Sequence, residues 1–417
     1  MLIEFRVRNF RSLRDEQVLS FVATTDNSLQ NENTTPSGIK AAPQLLRSMV
    51  LYGPNAAGKS NIIKALQYMC QVIAQSANLQ AGQGFNVQPF RLDTESNQQP
   101  TVFEVSFLLD DVRHQYGFSL NAERILSEYL LVYKAFKPQQ WFARHYDPKT
   151  KQYHYELGSG LKGKKSVWES TTRPNSLFLS MAVHLNSEQL RPIFDFFVTK
   201  LIIVGDDTPL NPLVTIDMLK QPESNHKICD FLNAADISIA AINVVPRKVP
   251  GQTLHFDLQT GKTEKITGEV DTNELHFYHK TEKGEATFNL PDESKGTRQL
   301  LFLTGPIFDI IDKGLILIID ELDSSLHPLL VQRLVKLFHT SSLNTKGAQL
   351  IFTTHDTSLL SSNLFRRDQI WFVEKDNEQA SKLYSLSDFS PRKNEALESG
   401  YFKGRYGGLP FFREWHK

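Results

Sequence analysis

A segment of eight residues, GPNAAGKS at 53–60, constrains the fold of this chain more than any other feature. It fits the pattern GxxxxGK(S/T) and stands between an apolar strand predicted at 48–52 and a helix predicted from about 59 to 76. In this setting glycines let backbone amides curl around phosphate groups, and the start of the helix adds partial positive charge. The sequence therefore predicts a phosphate-binding loop in an α/β fold.

The side chains at the end of this loop suit a nucleoside triphosphate with its metal ion. Lys59 can reach the outer phosphates, and the Ser60 hydroxyl can hold Mg²⁺. ATP and Mg²⁺ are therefore the expected cofactors. The residues predicted to bind nucleotide here are Asn55, Ala56, Ala57, Gly58, Lys59 and Ser60.

A second polar group follows the apolar run at 315–319, where Asp320 and Glu321 stand side by side. Five consecutive aliphatic residues indicate a buried strand, whose carboxyl end lies at the ligand-binding edge of a parallel sheet. Asp320 is predicted to anchor Mg²⁺. Glu321, one residue on, is predicted to orient or deprotonate the attacking water.

His355 follows another apolar strand, which is predicted at 348–353. A histidine at the end of a strand is usually a surface residue or a hydrogen-bonded one. Since one strand–helix–strand unit separates it from Glu321, His355 is expected at the same sheet edge. We predict that it contacts the γ-phosphate there.

The middle of the chain changes pattern several times. Short aromatic-rich segments between 101 and 157 indicate a β-meander, and apolar spacing typical of helices covers 175–204 and 228–239. Short strands are predicted again at 253–258 and 275–279. These patterns predict a mixed insertion of strands and helices.

After residue 290 strands and helices alternate, which implies a parallel sheet with helices packed against it. We expect this sheet to combine segments from both ends of the chain. The predicted parts are an N-terminal half with the phosphate loop at 1–128, an inserted meander and helical region at 129–290, and a C-terminal half at 291–417.

Composition excludes several classes of protein. The 46 basic and 46 acidic side chains cancel, so no global charge draws the chain to nucleic acid or membrane. The two cysteines, Cys70 and Cys229, form no CxxC pair, and charges interrupt both the N-terminal segment and the apolar stretch at 300–319. We therefore expect a cytoplasmic protein without a membrane segment.

The loop, the acidic strand end and the histidine, in this order, resemble the ATP-binding-cassette (ABC) class of ATPases. The resemblance implies a P-loop NTPase head that dimerises around nucleotide, with a signature segment at a helix start. Residues 293–298 lie at that place, where Ser294 and the Gly296 backbone would bind the γ-phosphate held by the opposite subunit. Lys295 departs from the usual pattern there. The segment 322–328 is similar to the D-loop of this class.

The opening segment at 5–12 resembles the SMC, RecF and OLD group. Within that group the likeness is to ATPases of bacterial abortive-infection and phage-defence operons, the AbiL/RloA type. The passages that carry it are 88–90, 173–180, 367–372 and 404–410. By this resemblance Gln88 would be the Q-loop residue that senses Mg²⁺ and the attacking water.

The resemblance implies an ATP-driven sensor or scaffold that controls a separately encoded effector, often a nuclease, in antiphage defence. The residues after His355 are too few for a fused nuclease domain of roughly 100 residues. A homodimer or higher oligomer is expected. The alternative is a RecF-like ATPase that clamps DNA, and a transporter motor ranks third.

A basic stretch at 134–165 leaves two interpretations open. Its cationic residues alternate with aromatic ones, a pattern that binds nucleic acid or an acidic partner. A solvated hairpin whose aromatic residues face the core would give the same pattern. The basic residues are Lys134, Lys137, Arg144, Lys149, Lys151, Lys162, Lys164 and Lys165, and the aromatic ones are Phe136, Trp141, Phe142, Tyr146, Tyr153 and Tyr155.

Overall fold

The structure is a computed structural model that describes residues 1–134, 137–205, 210–256, 263–324, 326–361, 363–392 and 395–409. Its strands are β1 (Leu2–Arg8), β2 (Gln17–Ser20), β3 (Thr34–Pro36), β4 (Gln44–Leu46), β5 (Ser48–Tyr52), β6 (Thr101–Leu109), β7 (Val112–Leu120), β8 (Ile125–Tyr133), β9 (Gln139–Asp147), β10 (Gln152–Leu157), β11 (Leu201–Val204), β12 (Ala241–Phe256), β13 (Thr263–Thr281), β14 (Gly284–Asn289), β15 (Ile316–Ile319), β16 (Gln349–Thr353), β17 (Ile370–Lys375) and β18 (Ser381–Ser385).

The helices connect and cover these strands. They are α1 (Gln30–Asn33), α2 (Lys59–Gln75), α3 (Lys165–Thr171), α4 (Phe178–His184), α5 (Arg191–Asp195), α6 (Pro212–Leu219), α7 (Pro222–Ala234), α8 (Lys295–Lys313), α9 (Pro328–His339) and α10 (Leu397–Phe402). Phe196–Lys200 forms a π-helical turn directly before β11.

The chain divides into two compact units. The first comprises Met1–Thr208 and Ile310–Lys417, and the second is Pro209–Asp309. The three-part scheme predicted from sequence, with boundaries after 128 and 290, is a different division of the chain and stays a prediction.

In the first unit a mixed sheet carries the phosphate loop. Its strand order is β11-β15-β16-β5-β17-β18, in which the pairs from β11 to β17 are parallel and β18 is antiparallel. Every residue of β5, β15 and β16 is buried, as expected for central strands with covered faces. The fold class predicted from sequence, an α/β P-loop NTPase head, is confirmed.

One edge of this sheet differs from the prediction. Residues 201–204, assigned to a helical stretch, form β11 and pair in parallel with β15, Leu201 opposite Ile316. A run of four aliphatic residues is too short for periodicity to separate strand from helix. Residues 201–204 form a strand because they hydrogen-bond to the backbone groups at the edge of β15.

The other sheet of the first unit is antiparallel, in the order β10-β9-β8-β7-β6-β1-β2. Phe103, Val105 and Phe107, predicted to share one face of β6, are all fully buried. The predicted meander thus exists, but its strands extend a sheet that begins with the N-terminal β1 and β2.

The segment 173–180 is hydrogen-bonded to the C-terminal end of α2 and to the residues that follow it. The Asn175 side-chain amide donates to the carbonyl groups of Gln80 and Gln83, at 2.7 and 2.9 Å. The Ser180 hydroxyl donates to the Ile73 carbonyl at 2.6 Å. These hydrogen bonds hold α2 in place, and α2 is the helix that begins at the end of the phosphate loop.

The second unit contains the sheet β12-β13-β14, in which β12 and β13 form a long antiparallel hairpin. Ile242, Leu275 and Phe277 are buried within it. The two strands predicted here, at 253–258 and 275–279, lie within a much longer pair, and residues 257–258 of that prediction fall outside the described residues.

Candidate functional site

The phosphate loop is shaped by two glycines with positive φ. Gly53 has φ +151° and Gly58 has φ +113°. A Cβ at Gly53 would lie 2.2 Å from the Val373 carbonyl oxygen, and one at Gly58 would lie 2.2 Å from the Ser381 hydroxyl oxygen. Both positions require glycine because the loop packs directly on β17 and β18.

The loop leaves backbone donors free at the start of α2. Within the ranges that the structure describes, the amides of Ala56, Gly58, Lys59 and Ser60 donate to no protein acceptor. Ala56 itself has φ +61°, an uncommon conformation for a residue with a Cβ. Free amides at a helix N-terminus bind anions, so the loop is built for phosphate.

Lys59 lies against its own loop. Its Nζ donates to the carbonyl groups of Gly53 and Pro54, at 2.7 and 3.3 Å. Burial lowers the pKa of Lys59 below its ordinary value, and the carboxylates of Asp320, Glu321 and Asp323 partly oppose that shift. An anion bound by the loop would further favour the charged ammonium group.

Asp320 and Glu321 follow β15 at the carboxyl edge of the sheet. The Thr353 hydroxyl, at the end of the neighbouring β16, donates to Asp320 Oδ1 at 2.6 Å. The same hydroxyl accepts the Glu321 amide at 2.7 Å. Glu321 has φ +53°, which turns the chain sharply away from the sheet.

His355 reaches the same edge from β16. Its Nε2 lies 4.0 Å from Glu321 Oε1, and both side chains are about half exposed. The His355 amide donates to Asp323 Oδ2 at 3.2 Å. Residues 54–61, Glu321 and His355 line one cavity of about 270 Å³. The structure therefore brings together the predicted loop residues, the acidic pair and the histidine.

Gln88 lies beside this cavity and does not line it. It lines a neighbouring cavity of about 280 Å³ together with Arg11, Ser12 and Asn61. The Gln88 carbonyl accepts the Arg11 amide at 2.7 Å, which joins its loop to the N-terminal segment. Asn61 lines both cavities and so links the two.

Ser294 and Gly296 belong to the second unit, at the start of α8. The Ser294 hydroxyl accepts the Thr297 amide at 3.0 Å, so it caps the helix. Ser294 is exposed. A Cβ at Gly296 would meet only the Ser294 hydroxyl oxygen, at 3.8 Å, so its backbone is accessible.

Two quoted segments extend beyond the described residues. Ser325 of the D-loop-like segment and Pro410 of the segment 404–410 lie outside them. In the remainder of the first segment, the Ser324 amide donates to the Glu321 carbonyl at 2.9 Å, and Leu322 and Leu326 are buried. The turn after the acidic pair is thus anchored to the core.

The basic stretch at 134–165 contributes fewer exposed groups than its sequence suggests. Arg144 is fully buried and pairs with Glu128, and Trp141 and Phe142 are also buried. Lys165 Nζ donates to the Gly158 carbonyl at 2.7 Å. These contacts match a hairpin whose aromatic residues face the core. Phe136 lies outside the described residues.

Three hydroxyl residues of the site, Thr353, Ser381 and Ser12, were not predicted to belong to it. Thr353 looked like an ordinary strand residue. Ser381 donates to the Ala57 carbonyl at 2.5 Å, its hydroxyl oxygen lies 2.8 Å from the Ser12 hydroxyl oxygen, and Asn61 donates to Ser12 at 2.6 Å. Only Ser12, inside the quoted segment 5–12, had a signal that could have found it.

The residues present fit a nucleotide with Mg²⁺. The free amides of the loop and Lys59 supply donors for phosphate, while the Ser60 hydroxyl and Asp320 supply the oxygen ligands that Mg²⁺ prefers. A parallel sheet with this loop after β5, and with acids after β15 on the other side of β16, defines a P-loop NTPase fold.

Comparison with protein families gives the particular family. The model described as "AAA domain, putative AbiEii toxin, Type IV TA system" matches residues 48–134 and 126–361. The chain belongs to this family, and it therefore carries an AAA-type ATPase domain. The resemblance to abortive-infection ATPases predicted from sequence is confirmed.

Solved structures that are similar to the chain share little sequence identity with it. The SMC head domain from Thermotoga maritima is 14% identical, with 92% of this chain and 98% of that chain covered and a TM-score of 0.40. An SmcHead bound to the C-winged helix domain of ScpA is 13% identical, with coverage of 92% and 97% and a TM-score of 0.38. A Pyrococcus furiosus Smc head domain with an extended coiled coil, bound to the C-terminal domain of ScpA, is 13% identical, with coverage of 97% and 98% and a TM-score of 0.35.

No functionally curated protein matches the chain. Among the helices of the described ranges, none combines the length and the apolar character that crossing a bilayer demands.

Proposed function

We propose that this protein binds ATP with Mg²⁺ and hydrolyses it to ADP and phosphate. The observation that carries the proposal is a single cavity lined by a loop with free amides, by Glu321 and by His355. Lys59 is buried beside the loop, and Asp320 follows β15, which lies on the other side of β16 from β5.

Each residue has a defined role in this proposal. The free amides of Ala56, Gly58, Lys59 and Ser60 and the Lys59 ammonium bind the phosphates, and Asn55 and Ala57 line the same cavity. Ser60 and Asp320 hold Mg²⁺, which when bound neutralises charge on the phosphate oxygens. Glu321 orients the attacking water and accepts its proton, and His355 donates a hydrogen bond to the γ-phosphate.

Gln88 has a supporting role in the proposal. Its backbone is tied to Arg11, and its cavity shares Asn61 with the phosphate loop. We place its side-chain amide near the metal and the attacking water once nucleotide is bound. A Gln88→Ala variant should therefore bind ATP and turn it over slowly.

Nucleotide also joins two copies of the chain in this proposal. Ser294 is exposed at the start of a helix, and the Gly296 backbone is open, so both can bind the γ-phosphate held by a second copy. The support is the chemistry of the helix start, which offers amides and a hydroxyl group to an anion.

The dimer is tested by light scattering coupled to gel filtration, with ATP bound to the Glu321→Gln variant. We expect a mass of twice 47.5 kDa with ATP and Mg²⁺. Adding Ser294→Arg should return the monomer mass and leave ATP binding intact. Lys59→Ala should lose both. A monomer throughout, with ATP demonstrably bound, would contradict dimerisation and leave nucleotide binding standing.

In the cell we propose that the nucleotide state controls a separately encoded effector, a nuclease as the resemblance implies, in cytoplasmic defence against phage. The support is membership of a family described by a toxin of a toxin–antitoxin system. Affinity purification from the native host should recover a protein encoded beside this chain, and phage plating should show that protection is lost in Lys59→Ala.

One result would favour the DNA clamp instead. Recovery of DNA without a protein effector, released by salt and weakened by charge reversal at Lys162 and Lys164, would contradict effector control. Both lysines lie on the exposed connection after β10, and neither forms an ion pair in the described residues.

A further inference from the structure

Thr353 makes three hydrogen bonds to the turn that carries the acidic pair. Its hydroxyl donates to Asp320 Oδ1 at 2.6 Å and accepts the Glu321 amide at 2.7 Å. Its carbonyl group accepts the Leu322 amide at 3.2 Å. One residue of β16 therefore contacts three consecutive residues after β15.

This arrangement follows from the parallel pairing of the two strands. Ile319 is opposite Phe352, so Thr353 is the first residue of β16 beyond the paired segment of β15. Its side chain is completely buried. A buried hydroxyl without bonding partners is costly, so the contacts to Asp320 and Glu321 also hold the hydroxyl in one orientation.

The hydroxyl also counters an unfavourable backbone conformation. Glu321 has φ +53°, which residues with a Cβ seldom adopt and which persists where surrounding contacts fix it. The bond from the Glu321 amide to Thr353 is such a contact. Without it the chain could relax, and the Glu321 side chain would lose its position 4.0 Å from His355 Nε2.

We infer that Thr353 is a positioning residue, which orients Asp320 toward the metal ion and holds Glu321 in its left-handed conformation. The inference rests on the proposed function, because it assigns Asp320 and Glu321 the roles given above. Thr353 itself does not touch nucleotide. Partners that orient a metal ligand typically contribute 10–100-fold to metal affinity or activity.

The test compares Thr353→Val, which keeps the shape and removes the hydroxyl, with Thr353→Ser, which keeps the hydroxyl. Mn²⁺ is titrated into each protein with a non-hydrolysable ATP analogue, and free Mn²⁺ is followed by electron paramagnetic resonance. We expect the Mn²⁺ dissociation constant to rise about 10–100-fold in Thr353→Val and to stay within about threefold of wild type in Thr353→Ser. Affinity for the analogue without metal should be equal in all.

Thr304→Val is the matched control, because Thr304 is a completely buried threonine whose hydroxyl donates to the Leu300 carbonyl of its own helix. It should leave the Mn²⁺ constant unchanged. If Thr353→Val does not fold, the pair Thr353→Ala and Thr353→Ser decides the question. Equal Mn²⁺ constants in wild type and the hydroxyl-free variant would overturn the inference alone. Wild-type protein that binds no analogue would overturn the proposed function.

Discussion

Two clusters of polar residues in the first unit differ in burial and in whether their groups have hydrogen-bond partners within the protein. In the antiparallel sheet, Glu128 and Arg144 are fully buried and lie 3.1 Å apart. Glu128 also accepts the Tyr116 hydroxyl at 3.0 Å and the amides of Phe178 and Leu179 at 2.6 and 2.9 Å. At the phosphate loop, by contrast, four amides have no protein acceptor among the described residues, and Glu321 and His355 are about half exposed.

The comparison distinguishes polar groups that stabilise the fold from polar groups that are available to bind a ligand. Burial raises the pKa of the Tyr116 hydroxyl far above its ordinary value, and the neighbouring Glu128 carboxylate adds to the shift, so Tyr116 remains a donor. Such a cluster is closed to solvent and joins three strands, β7, β8 and β9, to the start of α4. The loop cluster is open, and its groups complete their bonds only with a ligand.

The largest effect is expected at the open cluster, from Glu321→Gln. If Glu321 takes the proton of the attacking water, turnover should fall by roughly 10² to 10⁴, because an amide cannot accept that proton. ATP affinity should be preserved, since the loop is unchanged. Phosphate release measured at saturating ATP checks this, and wild-type turnover in the variant would remove the role of general base.

Glu128→Ala should destabilise the closed cluster by about 3–5 kcal/mol, because it leaves Arg144 buried without its charge partner. Urea denaturation followed by tryptophan fluorescence measures the loss. The double variant Glu128→Leu with Arg144→Met should recover most of it, since no charge is then buried. If Glu128→Ala is as stable as wild type, the cluster does not have the structural role assigned to it.

Lys59→Ala should weaken ATP binding by roughly 100-fold or more, because a charge-assisted hydrogen bond of about 3 kcal/mol is lost. Calorimetric titration with ATP checks this. Lys64→Ala is the control, since Lys64 is exposed on the same helix and should leave affinity unchanged. Equal affinities in the two variants would mean that the loop lysine does not contact phosphate.

The smallest expected effect is a dependence of stability on pH that is caused by His339. This residue is buried, and its Nε2 lies 2.7 Å from the hydroxyl oxygen of Ser48, the first residue of β5. Burial lowers the pKa of His339 from 6.5 to about 3. The unfolded chain thus binds the proton more readily between these values, so stability falls as the pH drops through this range.

Between pH 7.5 and pH 5.0 this group should cost wild type about 2 kcal/mol of unfolding free energy. His339→Gln keeps a hydrogen-bonding side chain and cannot be protonated, so it should lose less stability over the same interval. Denaturation at both pH values gives the comparison. Parallel losses in the two proteins would show that His339 is not the group responsible.

Much of the open cluster could be predicted from sequence because its parts are local. The strand at 48–52 is found at Ser48–Tyr52, and the loop, the acids after β15 and His355 after β16 meet at one edge. The geometry of a motif can be predicted from sequence when its strand, its glycine-containing turn and its helix start follow one another directly along the chain.

What could not be predicted depends on contacts between distant segments. β11 is a strand because β15 offers it an edge, and Ser381 supports the loop from more than 300 residues away. The pairing of Glu128 with Arg144 required the register of β8 and β9, which places the two residues opposite each other. Composition had suggested Arg144 as part of a binding surface.

The strand order has a consequence for biosynthesis. β5 is made early, yet both its neighbours, β16 and β17, leave the ribosome about 300 residues later. Until then the central strand has no hydrogen-bonding partners on either side, and sheets with such remote pairings form slowly. A nascent chain that ends before β16 therefore carries the phosphate loop without the two strands that pair with β5.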